Sequence, residues 1–221
     1  MKIGVLALQG DFALHVKALE RCGRSASRSA SSGEASGEMT VEAVEVRKPE
    51  QLADLDGLVI PGGESTTLLK LMDEWGFVPA LEKFHAAGKP MFGTCAGLIL
   101  LARGVENPPQ FSLGVIDVDV ERNAYGRQRE SFETRGTAVL DGAPTPIEMM
   151  FIRAPRIRRV GADVEVLARQ GGDPVMARQG KVLVTTFHPE VTGEQAIHRY
   201  FCEMVRAAQR SFEERPGCDG A

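Results

Sequence analysis

Met91-Phe92-Gly93-Thr94-Cys95-Ala96-Gly97-Leu98-Ile99-Leu100-Leu101-Ala102 reads as a short apolar strand, a turn of small residues, and an apolar helix over 96–102. A strand and a helix joined only through Gly93 to Gly97 make the joint of a βα unit. A G-x-C-x-G turn at that joint has the form of a nucleophile elbow, where small neighbours let the chain fold back and lift one side chain clear of the sheet. Cys95 is that side chain. The helix that follows offers it free N–H groups and a positive dipole end, both of which favour the thiolate. An isolated cysteine is ordinarily just a small buried apolar group, so the reading rests on the turn around it.

The same unit recurs upstream. The run Ile3 to Leu8 ends at Gln9-Gly10, and Phe12, Val16 and Leu19 then repeat at helical spacing as far as Gly23. Val41 to Val46 alternates Val and Ala with Glu, and Leu58-Val59-Ile60 stops at Pro61-Gly62-Gly63 before a helix marked by Leu68, Leu69 and Met72. Alternating strands and helices imply an α/β domain with an open, mostly parallel central sheet and helices on both faces. Downstream, Val115–Val120, Thr137–Leu140, Glu148–Ile152 and Val164–Ala168 read as short strands between Gly, Pro and Asp signals, predicted to be antiparallel additions to the sheet. Val182–Thr186 is the last central strand, and Ile197, Phe201, Met204, Val205, Ala208 and Phe212 mark a closing amphipathic helix. One domain over 1–212 is expected. Residues 24–38 hold six Ser, three Ala and two Gly with no hydrophobic period, so 24–40 is expected to be a flexible surface insertion, and 213–221 a frayed tail.

Composition narrows the function. Of 221 residues, 43% are apolar and 25% charged, enough for a sizeable core. The 26 Lys and Arg against 30 Asp and Glu give a net charge of −4, which argues against nucleic acid as the partner. No apolar stretch approaches the roughly 18 residues of a membrane span, and no signal segment is evident. Cys22, Cys95, Cys202 and Cys218 are scattered, without a C-x-x-C pair for zinc or a disulfide framework, so reduced thiols in a cytoplasmic protein with no metal are expected.

A cysteine nucleophile needs a proton acceptor, and there are four histidines. His15, His85 and His198 fall inside predicted helices, where ordinary surface or partly buried roles account for them. His188 follows the last central strand and so projects from the sheet edge where α/β sites gather. Residues i and i+2 of an extended chain face the same way, and Pro189 keeps that stretch non-helical, so Glu190 is expected to reach the His188 ring and fix its tautomer. Cys95, His188 and Glu190 then divide attack, proton transfer and orientation as a triad does. The oxyanion of an acyl transfer needs donors: the Ala96 amide is one candidate and Gly63, in the turn Pro61-Gly62-Gly63-Glu64-Ser65, is a second. That turn is otherwise a plain strand-to-helix joint capped by Ser65, and it lacks the G-K-[ST] ending of a phosphate loop.

Pro61-Gly62-Gly63-Glu64-Ser65-Thr66-Thr67, Gly93-Thr94-Cys95-Ala96-Gly97-Leu98 and Phe187-His188-Pro189-Glu190 resemble the class I, triad glutamine amidotransferases. Leu6-Ala7-Leu8-Gln9-Gly10, the stretch from Val120-Glu121-Arg122-Asn123 to Gln128, and Phe151-Ile152-Arg153-Ala154-Pro155 narrow the likeness to the glutaminase subunits of pyridoxal 5'-phosphate synthase. The resemblance spans nearly the whole chain. It implies hydrolysis of L-glutamine to glutamate and ammonia without a cofactor. Ammonia would pass to a separate (β/α)8-barrel synthase subunit, within a hetero-oligomeric complex, for vitamin B6 synthesis. It implies Cys95, His188 and Glu190 as nucleophile, base and orienting acid, and Gly63, Glu64, Ser65, Arg122, Ile152 and Arg153 as glutamine contacts. A guanidinium suits the α-carboxylate of free glutamine, although the sequence leaves open which group touches which. The stretch 24–40 departs from the family, which makes that connection much shorter. A free-standing γ-glutamyl cysteine hydrolase, the glutaminase subunit of another amidotransferase, and a non-catalytic module on the same fold remain as alternatives.

Overall fold

The computed structural model describes residues 1–26, 40–122, 124 and 131–213. In chain order the elements are β1 (Lys2–Leu6), α1 (Phe12–Ala26), β2 (Glu42–Val46), β3 (Gly57–Ile60), α2 (Ser65–Glu74), α3 (Phe77–Ala86), β4 (Met91–Thr94), α4 (Ala96–Leu101) and β5 (Ala102–Glu106). There follow β6 (Ile116–Glu121), β7 (Ser131–Leu140), β8 (Ala143–Ile152), β9 (Arg156–Val160), β10 (Glu165–Gln170), β11 (Asp173–Gln179), β12 (Val182–Thr185) and α5 (Ala196–Glu213).

A nine-stranded sheet runs in the order β2-β1-β3-β4-β12-β11-β10-β7-β8. Its first five strands pair in parallel, and the remaining pairs are antiparallel. The α/β class expected from the sequence holds, with an antiparallel half as large as the parallel one. The strand expected at Val115–Val120 joins a separate three-stranded sheet, β5-β6-β9, instead of extending the main one.

Both faces of the parallel half are covered, and the side chains sort by strand alternation. Leu58, Ile60, Met91, Val182 and Val184 face α2, α3, α4 and the apolar side of the small sheet through Leu68, Phe77, Leu98, Val118 and Ile157. Ile3, Val5, Val59, Phe92 and Leu183 face α1 and α5 through Leu19, Ile197, Phe201 and Val205. Burial on two faces is why these strands read as unbroken apolar runs, where a half-exposed strand would alternate.

Several boundaries differ from the sequence reading. The helix expected to stop at Gly23 continues to Ala26, through the start of the expected insertion; the rest of that insertion, 27–39, lies outside the described residues, as does the tail from 214. The strands expected at 137–140 and 148–152 are each ten residues long. They form a hairpin closed by Asp141-Gly142, both at positive φ, as a two-residue turn matched to strand twist requires. β5 and β9 had no apolar run to announce them: Arg and Glu occupy much of their length, because each has a side toward solvent or charged partners. The short buried run Val175-Met176-Ala177 of β11 was not read as a strand.

Candidate active site

Parallel strands deliver their C-terminal ends to one edge. Thr94, the last residue of β4, pairs with Thr185, the last of β12, so the residues that follow both strands emerge side by side. Cys95 holds φ 48° and ψ −100°, and its N–H donates to the Thr185 carbonyl at 2.8 Å. This is the elbow the G-x-C-x-G turn predicts: α4 begins at Ala96, and the Cys95 backbone is strained. The helix is six residues long and runs directly into β5.

His188 sits three residues beyond the end of β12, with its N–H on the Met150 carbonyl of β8 at 2.8 Å. Its imidazole hydrogen-bonds Cys95 on one side, and on the other Nδ1 lies 2.7 Å from Glu190 Oε1. The sequence reading of this contact is right in outcome and wrong in geometry: Pro189–Val191 is a 3₁₀ turn, not extended chain. Proline suits its first position, where no N–H is needed and φ near −65° is already helical. Gly62 lies beneath the ring, where a Cβ would fall 2.3 Å from His188 Cε1, so the sequence must leave this position bare.

Burial works against a charge on His188, but its hydrogen bonds with Cys95 and Glu190 outweigh it and push the pKa up to about 10. Burial likewise opposes ionisation of Glu190. The imidazoles of His15 and His188 overcome that and hold its carboxyl well below the usual carboxylate range. The constellation therefore stabilises an imidazolium between a sulfur and a buried carboxylate.

A cavity of about 270 Å³ opens over the sulfur, and its lining includes Gly63, Glu64, Ser65, Cys95, Arg122, Ile152, Arg153 and His188. Every residue expected to contact substrate thus reaches one cavity, while Glu190 lies behind it, 2% exposed, and Ala96 is fully buried at the head of α4. Gln9 and Asp11, from the loop after β1, complete the rim. Gln9 Oε1 accepts the Glu64 N–H at 2.9 Å, a contact made across 55 residues and unreadable from either motif alone.

The α2 cap differs from the sequence reading. Glu64, not Ser65, caps the helix: its carboxylate accepts the Thr66 and Thr67 amides at 3.0 and 2.7 Å. The partial burial of Glu64 is outweighed by these hydrogen bonds, which hold its pKa down to about 2. Ser65 Oγ instead donates to Gln110 Oε1 at 3.1 Å. Arg122, at the end of β6, donates to Thr66 Oγ1 at 2.9 Å and stands 3.5 Å from Glu64, bringing the small sheet to the cavity wall.

Two histidines set aside in the sequence reading are fully buried behind this site. His15 Nε2 lies 3.3 Å from Glu190 Oε2 and 3.3 Å from Thr94 Oγ1, and His15 Nδ1 lies 2.9 Å from His198 Nε2. A signal existed. His15 shares a helical stripe with the buried Ala18, Leu19 and Cys22, and His198 shares one with Phe201, Cys202 and Val205. A polar group on an apolar stripe must find a partner inside. Further along the same helix pair, Cys22 and Cys202 hydrogen-bond each other as free thiols. His85 stays half-buried on α3. Among the described residues no cluster of His, Cys, Asp and Glu is suited to hold a metal ion, and no helix is long and apolar enough to cross a membrane.

Residues 5–207 match the SNO glutamine amidotransferase family. A protein of Koribacter versatilis called pyridoxal 5'-phosphate synthase subunit PdxT is 53% identical over 206 residues, covering 93% of this chain and 96% of that one. A protein of the same name from a Geobacillus species is 49% identical, covering 95% of this chain and 99% of the relative. A crystal structure of a glutamine amidotransferase superposes with a TM-score of 0.78 at 47% identity, covering 92% of this chain and 98% of that one.

Proposed function

Because the chain belongs to the SNO glutamine amidotransferase family, we propose that it hydrolyses L-glutamine to L-glutamate and ammonia, with Cys95, His188 and Glu190 as its triad. The observation that carries the reading is the buried imidazole of His188 held between Cys95 and Glu190 at the mouth of the cavity. The cavity is small and rimmed by both signs of charge, Arg122 and Arg153 with Asp11 and Glu64, which suits a zwitterionic amino acid better than a peptide.

In this mechanism the Cys95 thiolate attacks the side-chain carboxamide carbon, and the C–S bond forms as the carbonyl electrons move to oxygen. The amides of Ala96 and Gly63 stabilise that oxyanion; losing one such donor costs on the order of 10² to 10³ in rate. His188 gives its proton to the departing nitrogen, ammonia leaves, and a glutamyl thioester remains. His188, now neutral, takes a proton from water as the water attacks the thioester. The second tetrahedral intermediate then expels the Cys95 thiolate and glutamate. Glu190 stays ionised throughout, keeping Nδ1–H of His188 in place and stabilising its positive form.

The PdxT relatives are subunits of pyridoxal 5'-phosphate synthase, and the same assignment is proposed for this chain. It docks on a (β/α)8-barrel synthase subunit in the cytoplasm and hands ammonia over by a sheltered route, since ammonia released into bulk water is protonated and lost as a nucleophile. Purified chain is assayed for glutamate with and without the barrel subunit, alongside Cys95→Ala and a panel of γ-glutamyl peptides. Glutamate from glutamine that rises with the barrel and vanishes in Cys95→Ala is expected. Equal activity without the partner and on larger substrates favours a free-standing hydrolase, and activity retained by Cys95→Ala removes the cysteine from its role.

A further inference from the structure

Glu190 has two carboxylate oxygens, and the triad uses one. Oε1 is taken by His188 at 2.7 Å. Among the described residues no donor meets Oε2 in full hydrogen-bond geometry, although the atom is buried. What faces it is His15 Nε2, at 3.3 Å. The same nitrogen lies 3.3 Å from the hydroxyl of Thr94, the residue that leads into the nucleophile. One imidazole on α1 therefore spans the end of β4 and the turn after β12, the two pieces of chain that carry the reacting groups.

Which ring nitrogen of His15 carries the proton follows from its neighbour. His198 is fully buried, and that burial leaves it neutral with a pKa of about 3. Among the described residues its Nδ1 has no hydrogen-bond partner. A proton placed there is an orphaned buried donor, more costly than a bare ring nitrogen, so the proton sits on Nε2 and is donated to His15 Nδ1 at 2.9 Å. His15 Nδ1 is then an acceptor, and the His15 proton sits on Nε2, facing Glu190 and Thr94. Donors run one way along this path, from His198 to His15 to Glu190. The other charged groups in reach are His188, on the far carboxylate oxygen, and Arg21, further along α1.

We propose that His15 is a positioning residue for the reaction, shared between Oε2 of Glu190 and the Thr94 hydroxyl with its tautomer set by His198, so that Glu190 presents Oε1 to His188 and cannot rotate away. This rests on the triad reading of Cys95, His188 and Glu190. His15 touches neither the cavity nor glutamine, so its loss lowers kcat and leaves KM alone. Groups that orient a functional side chain from behind typically contribute about 10- to 100-fold. Without His15 the carboxylate is a weaker anchor for imidazolium, and the thiolate–imidazolium pair then forms only at higher pH.

The test uses full-length chain with its barrel subunit and compares wild type, His15→Leu, His15→Gln and His198→Leu. It measures kcat and KM for glutamine, together with the rate at which iodoacetamide alkylates Cys95 as a function of pH. For His15→Leu, kcat falls about 10- to 100-fold with KM within about twofold, and the alkylation midpoint moves up. His15→Gln, which keeps an N–H donor, recovers most of kcat, and His198→Leu shifts the midpoint in the same direction by less. If His15→Leu does not fold, the His198→Leu midpoint decides alone. An unshifted midpoint in every folded variant, or a fall in activity that matches the folded fraction with the pH profile unchanged, overturns the proposal. A wild-type protein with no glutaminase activity sinks the triad reading itself, and this inference with it.

Discussion

Cys95 is held at φ 48°, ψ −100°, a conformation whose mirror image is ordinary extended chain and which only glycine adopts freely. Comparing Cys95→Gly with Cys95→Ala isolates the Cβ, since both lack the sulfur. Relief of backbone strain favours glycine by about 1–3 kcal/mol. Against this, glycine loses about 0.5–1 kcal/mol in chain entropy and one buried carbon worth about 0.8 kcal/mol. The sum is about 0.5 kcal/mol in favour of glycine. At an unstrained buried position the same exchange loses about 1.5 kcal/mol. For a chain of this size 1 kcal/mol moves Tm by about 2–4 °C, so Cys95→Gly is expected to melt about 1–2 °C above Cys95→Ala, where an unstrained site places it about 3–6 °C below. Thermal unfolding followed by circular dichroism on both purified variants gives the order. Cys95→Gly melting 3 °C or more below Cys95→Ala refutes the strained elbow and, with it, the idea that the fold spends stability to present this side chain.

Two other perturbations act on the same site. Glu190→Gln keeps the shape of the side chain and removes the charge that helps hold His188 at a pKa of about 10. A raised histidine pKa stabilises the fold fully below its ordinary value of 6.5 and loses that contribution as pH rises through 10. The stability advantage of wild type over Glu190→Gln, measured by urea unfolding, is therefore expected to narrow across that window, while glutaminase kcat falls by on the order of 10⁴, as when the triad aspartate of a serine protease is replaced by asparagine. A gap that stays constant or widens contradicts the coupling. Gly97→Ala puts a Cβ 2.0 Å from the Ile60 carbonyl oxygen, backbone against backbone, so α4 must move off β3. A loss of about 1–3 kcal/mol or more, with a fall in kcat as Cys95 shifts, is expected in denaturation and glutamate assays; an unaltered midpoint and rate contradict the packing.

Local chemistry made a large part of this molecule legible before any coordinates. The unbroken apolar runs at 3–8, 58–60, 91–92 and 182–186 announced strands buried on both faces. The glycines and small residues around Cys95 announced the elbow, and the spacing of His188 and Glu190 announced their hydrogen-bonded contact. These are properties of a few neighbouring residues: periodicity, turn chemistry, and the reach of one side chain to another two positions away. Even there the local backbone was misread at Pro189, because proline is as much at home at the head of a 3₁₀ turn as in extended chain.

The rest depended on which segments lie together. Glu64 rather than Ser65 capping α2, Gln9 gripping the Glu64 amide, and Arg122 arriving from a second sheet are contacts across the chain that no single stretch encodes. His15 and His198 sit 183 residues apart on helices that read as ordinary amphipathic segments, yet α1 and α5 lie on one face of the sheet and bury both rings behind Glu190. The amino-acid sequence determined the central parallel strands with the helices between them, the turn around Cys95, the contact of His188 with Glu190 and the edge at which they meet, since each follows from local pattern and strand polarity. Only the tertiary structure decided what stands behind the carboxylate, because a buried polar group takes its partner from whichever helix the packing places beside it.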